Sequence, residues 1–331
     1  MVASAGGTSN SVNAYLSGHT DMHNTSRYLK IILAAFLSVG AVTLACAETL
    51  AKRQVVLLQE IKPSLNNALL LPSDVAVSSE YVYVVDGGHH RVVAFDRQGV
   101  FQFSFGQHGK AKHRLNSPVG IDVADNGHVY VADTGNKRIQ VFNAEGEFIR
   151  LFKVKSGRYL IRPIDVLVDE KNEEIFVTGN DNHKIMVFSL NGKLKRKWGG
   201  NGTNEGDFRY PATLAHLKDG RVAAVDVLNS RVQVFEKNGD YSIQISDWGV
   251  EPGQVFRPKG VAVDKNGNIY ISDSYMNVVQ VFSDIGKLKY VLEMPPSQPL
   301  YTPVGMSFDD DNRLYIAEMR NHRISVFNVN P

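Results

Sequence analysis

Apolar residues in this chain fall in short runs, some alternating with polar positions, and the runs are broken by clusters of Gly, Asn and Asp. One stretch reads "GIDVADNGHVYVADTGNKRIQVFNAEGEFIRLF". This is strand grammar: brief Val-, Ile-, Tyr- and Phe-rich segments bounded by turn residues. "DNG", "KNG" and "NAEG" predict hairpin turns, because Asn, Asp and Gly adopt positive φ cheaply. The stretch predicts four strands, "GIDVA", "HVYVAD", "RIQVF" and "EFIRLF". Apart from an apolar run near the N-terminus, no segment sustains helical periodicity.

The pattern repeats. Pro72, Pro118, Pro163, Pro211, Pro258 and Pro303 each open a copy, at intervals of 45 to 48 residues, and the copies cover residues 71–327. A four-stranded antiparallel unit repeated at this length predicts a propeller blade. The fold class is therefore all-β, a six-bladed β-propeller. The last copy ends "NHRISVFNVNP", one strand short. A ring left open exposes a sheet edge. The unassigned segment "KRQVVLLQEI" supplies the missing strand, so residues 54–61 are expected to pair outside "RISVF" and close the ring. Val55 and Leu57 should face one side and Val56 and Leu58 the other, both against apolar neighbours. A free N-terminal tail is the alternative.

"NHKI" (182–185) and "NHRI" (321–324), with "GNKRIQVF" and "LNSRVQVF", resemble the NHL repeat, named for Asn-His-Leu at this turn. The resemblance covers about three-quarters of the chain and extends to exported bacterial NHL proteins. It implies a six-bladed propeller. Two copies depart from the pattern. Gly179 stands where other copies have Asp (Asp86, Asp133, Asp226, Asp273), and Val278 stands where others have Arg or Lys, so weaker turn networks are expected in copies three and five.

The first residues follow other rules. Arg27 and Lys30 precede an uncharged run from Ile31 to Ala47 that ends in Ala45-Cys46-Ala47, the layout of a secretory signal peptide. Residues 1–47 are read as a leader, with Met22 as an alternative start, and 48–331 as one propeller domain, secreted or periplasmic. An uncleaved membrane anchor and a lipidated Cys46 are the other readings. Composition fits an ordinary globular protein: 43% hydrophobic, 21% charged, net charge +2. Cys46 is the single cysteine, so a mature chain lacking it holds no disulfide, cysteine zinc site or covalent haem.

Function is harder to read, because propellers host many unrelated activities. The turns between second and third strands should share a face with the links between blades, among them "GQHGKAKHRLNS", "KVKSGRYLIR", "GGNGTNEGDFRY" and "EMPPSQPLY". Variable loops on a fixed frame point to binding. His89, His90, His183 and His322 sit at these turns. They lie on different blades away from the axis, so solvated turn residues are expected there rather than a shared zinc site. Along the innermost strands, Asp74, Asp122, Asp165 and His216 interrupt an apolar or small pattern and form the candidate axial site. Rule-breaking residues mark functional sites, yet a backbone amide or trapped water satisfying each is the plainer reading. Clustered carboxylates also suit calcium, with His216 as a neutral partner of the ligands.

Among enzymes, resemblance brings in the peptidyl-hydroxyglycine amidating lyases, whose zinc-binding histidines include some directly after blade-opening prolines. Here those positions hold Ser73, Val119, Ile164, Ala212, Lys259 and Val304, none of them His. Lactonase-like propellers hold axial calcium, and Asp74, Asp122 and Asp165 suit that chemistry without matching a motif. No GxSxG elbow or Gly-rich phosphate loop occurs. The basic runs "KLKRKW" (193–198) and "GKAKHR" (109–114), set against balanced charge, do not argue for nucleic acid. The expected function is a monomeric, non-catalytic scaffold that binds a protein or peptide partner through its loop face. A metal-dependent lyase or hydrolase using the axial pocket is the alternative.

Overall fold

The computed structural model describes residues 52–62 and 68–329. The leader reading lies outside the described residues. Each of the first five copies forms four antiparallel strands whose chain order is their spatial order from axis to rim. Blade one, for example, is Pro72–Val77, Tyr81–Asp86, Arg91–Asp96 and Phe101–Gly106. Tight turns join third to outer strands, and Gly146 and Gly192, at φ 80° and 79°, hold positions there that a side chain would strain. A bulge follows in each outer strand, as between Phe148 and Arg150, and increases the local twist.

Burial explains the composition of each strand. The second and third strands are sandwiched between neighbouring blades and are buried apart from some end residues, fully so in Val129–Asp133 and Arg138–Phe142. Outer strands face solvent on one side and alternate, as in Leu194–Gly199. The core lies between blades rather than within one. Ala132, Ile139 and Val141 of blade two pack with Val166, Ile175 and Met186 of blade three. Corresponding clusters fill each of the other blade interfaces.

The closing strand is present. Val56–Ile61 pairs antiparallel with Arg323–Asn328, Ile61 opposite Ile324, and completes blade six. Glu60 pairs with Arg323 across this seam. Two details correct the expectation. The segment is split: Lys52–Gln54 pairs in parallel with Leu288–Glu293 and adds a fifth strand to blade five. Val55 is the buried crossing point and donates to Glu293 O at 3.3 Å. Val56 and Leu58 do not meet apolar neighbours on both sides, for each is 49% exposed. A bulge between Leu57 and Gln59 shifts the register, and the rim side of an outer strand faces water.

Candidate functional site

The four predicted axial residues line one cavity of about 220 Å³ between the inner strands. Their carboxylates are largely engaged with backbone. Asp74 Oδ2 accepts from Ile121 N of blade two at 3.0 Å, and its Oδ1 from Val75 N at 2.9 Å. Asp165 Oδ2 accepts from Leu214 N of blade four at 2.8 Å. Thr213 repeats the device: its hydroxyl accepts from Val261 N of blade five at 3.0 Å and donates to Lys259 O at 2.9 Å. Asp122, two residues further along its strand, accepts from Val168 N at 2.7 Å and Val123 N at 2.9 Å. The second residue after a blade-opening proline thus ties its blade to the next wherever it carries an oxygen. Where it is glycine it makes room: a methyl group on Gly120 would overlap Asp165 Oδ1, and one on Gly305 would overlap Asp74 Oδ1.

No Arg or Lys pairs with these carboxylates among the described residues. Burial pushes Asp74 and Asp122 up to about 7 against the amide hydrogen bonds that oppose it. Burial and then the neighbouring Asp74 raise Asp165 well above the ordinary carboxylate range. Two atoms are buried without partners, Asp165 Oδ1 and His216 Nε2. The His216 ring meets Phe176 edge to face at 5.5 Å, and burial lowers its pKa. Among the described residues, no group of three or more His, Cys, Asp or Glu side chains is placed to hold a metal ion.

The turn histidines are more than solvated surface. His90, His183 and His322 adopt the left-handed conformation at φ 57°, 52° and 54°. Each uses Nδ1 to accept the backbone N–H of the residue before the next blade's proline. The donors are Ser117 at 2.8 Å, Tyr210 at 3.2 Å and Leu71 at 3.1 Å. Asn277 does the same for Thr302 at 2.7 Å. These four donors also have positive φ, so the histidine holds a strained entry to the next blade. The His322–Leu71 bond spans the closure of the ring. Sequence reasoning missed this role. Its only signal was the recurrence of His one position before the third strand.

The weaker network expected in copy three is visible. In blade two, Asp133 accepts from Arg138 Nε at 2.6 Å and from Asn136. In blade three Gly179 offers no carboxylate, so Asn182 turns to Met186 Sδ and its Oδ1 is left without a partner. In blade five Asp273 still gathers four backbone N–H groups in place of an arginine.

The NHL repeat family model matches residues 115–142, 257–282 and 300–327, that is, blades two, five and six. The chain is a six-bladed β-propeller that carries NHL repeats. The protein brain tumor of Drosophila melanogaster is 30% identical over 131 residues, covering 39% of this chain. The matched region spans 12% of that relative's length. A streptogramin B lyase structure superposes with a TM-score of 0.59 at 16% identity, covering 83% of this chain and 97% of the other. A gluconolactonase from Xanthomonas campestris gives 0.63 at 16% identity, covering 79% and 86%. At such identities these likenesses show the fold alone.

The link face carries the exposed aromatic side chains of the described residues: Tyr159, Tyr210, Trp248, Tyr275 and Tyr301. Trp248, Phe256 and Tyr275 form a continuous row, with ring centres 6.1 and 4.4 Å apart. Exposed cations Lys110, Lys112, Lys155 and Arg158 stand on the same face over blades one to three.

Proposed function

We propose that this NHL-repeat propeller is an exported, non-catalytic binding module that presents its link face to a protein or peptide partner. The observation that carries the reading is the placement of the exposed aromatics. They gather on one face, while the strands beneath repeat. Rigid aromatic side chains supply contact area at low entropic cost and are enriched at interface anchors. The Trp248–Phe256–Tyr275 row is the natural centre of such a patch. Export rests on the uncharged run ending at Ala47, and a mature chain starting near Glu48 is the expected product. Partner capture from the native host tests the binding role. A partner recovered with wild type and with Ile285→Ala on the opposite face, but lost with Trp248→Ala and Tyr275→Ala together, supports it. Equal recovery with every variant refutes it.

A second reading, a lyase or hydrolase at the axial cavity, draws on the free Asp165 Oδ1 and His216 Nε2 and on the lyase and lactonase names of the similar structures. The carboxylate oxygens already spent on inter-blade amides weigh against it. Metal analysis of the purified chain, with lactone hydrolysis assays with and without added divalent cations, separates the two readings.

A further inference from the structure

The first residue after each blade-opening proline forms a ring at the link-face mouth of the axis. Its members are Ser73, Val119, Ile164, Ala212, Lys259 and Val304. Five are small or apolar, and one carries a charge. A charge at a position the repeat otherwise keeps neutral breaks the local rule, and such breaks concentrate where a protein does more than fold.

Lys259 stands at the edge of a cavity of about 410 Å³, distinct from the axial one. The cavity spans three consecutive blades. Ile164 comes from blade three, Tyr210, Ala212, Val227 and Leu228 from blade four, and Lys259 from blade five. The walls are mostly apolar, with Asn180 and the Tyr210 hydroxyl as the other side-chain groups capable of hydrogen bonding. No carboxylate belongs to the lining, and among the described residues Lys259 has no ion-pair partner. Leu228 and Tyr210 are 47% and 46% exposed, so the cavity opens to solvent on the link face. Burial, helped by the nearby positive Arg257, lowers the Lys259 pKa. A partly buried ammonium that lacks a counter-ion gains most from an incoming anion.

We propose that this cavity binds a small monocarboxylate with an apolar tail, its carboxylate on Lys259 and its tail against Ile164, Ala212, Val227 and Leu228. The volume lies within the range of small-molecule sites, and one polar anchor among apolar walls is their usual design. The absence of any acidic group on the lining selects an anion over a cation. The apolar walls select an organic acid over a bare inorganic ion. The site is independent of the protein-binding reading, since it needs no partner on the rest of the face.

Calorimetry with octanoate tests this on the whole mature chain. Wild type binds octanoate and not octanamide. Lys259→Met, which keeps an unbranched stem and removes the charge, weakens octanoate by roughly tenfold or more. Lys259→Gln behaves alike, and unchanged circular dichroism shows that both variants are folded. In wild type the affinity falls as pH rises, because the ammonium is lost. Octanoate that fails to bind, or that binds Lys259→Met as well as wild type, overturns the proposal. Binding of acetyl-Phe-Leu with a free carboxylate, without binding of octanoate, assigns the cavity to a partner's C-terminus and likewise overturns it.

Discussion

Asp133 and Asp165 are both buried aspartates, 0% and 3% exposed, yet they sit in opposite surroundings. Asp133 ends a second strand at the link face. It accepts from Arg138 Nε at 2.6 Å, from Asn116 N at 2.8 Å, and from Asn136 and Gln140. Arg138 in turn donates to the carbonyls of Lys110, Ala111 and Arg114, so the pair organises the whole link after blade one. Asp165 lies at the axis. It has one inter-blade amide at 2.8 Å, no cation, and a bare Oδ1 beside Gly120. A carboxylate buried with a guanidinium is a charged organiser. One buried with backbone amides alone is pushed toward its protonated form and acts as a neutral tie between blades.

The contrast breaks most visibly at Asp133. Asp133→Ala leaves Arg138 buried without its counter-charge, and urea denaturation should show a loss of about 3–5 kcal/mol. If the loss is under about 1 kcal/mol, the pair does not organise the link. Gly305→Ala comes next. Its methyl group overlaps Asp74 Oδ1, and the forced rearrangement should cost about 1–3 kcal/mol by the same measurement.

The axial side sharpens with pH. The fold favours the acid forms of Asp74 and Asp122, whose pKa values are raised to about 7. Their stabilisation is fully present below the ordinary aspartate value of about 4 and is lost as pH rises through about 7. The melting temperature of wild type should therefore fall relative to Asp74→Asn/Asp122→Asn between pH 5 and pH 8, by a few degrees. His216, whose pKa is lowered, pulls the other way in both proteins and cancels in the difference. Parallel curves would show that the two carboxylates do not titrate in this window.

The smallest expected effect concerns calcium. Most axial carboxylate oxygens aim at amides, and among the described residues they form no group of three ligands, so added calcium or excess chelator should leave the wild-type melting curve unchanged. A calcium-dependent rise that Asp122→Ala abolishes would restore the cation reading of this site.

Much of the fold was legible in the sequence because its determinants are local. Turn glycines, strand alternation and the proline interval each act within a few residues, and their repetition identifies the blade. The missing last strand pointed to the N-terminal segment, because an unpaired edge is costly in water. The split at Val55 was not legible, since it depends on which edge of blade five happens to lie beside the seam. Asp74, Asp122, Asp165 and His216 line one cavity, and backbone amides satisfy the carboxylates as the plainer reading held, but which amides of the next blade do so was not legible. Those amides belong to residues nearly a full repeat away.

Lys259 shows the same division. Its charge stands out in the column of aligned copies, but the cavity beside it does not. The sequence by itself determined the blade, the number of blades and the need for a closing strand, because these follow from short-range pattern and edge saturation. Only the tertiary structure decided which polar groups are satisfied. His322 meets Leu71 only when the ring closes, and Asp74 meets Ile121 and Lys259 the apolar walls of blades three and four only when consecutive blades pack together. Whether a buried polar group is a structural tie or an open site depends on neighbours that only the packing of blade against blade brings within reach.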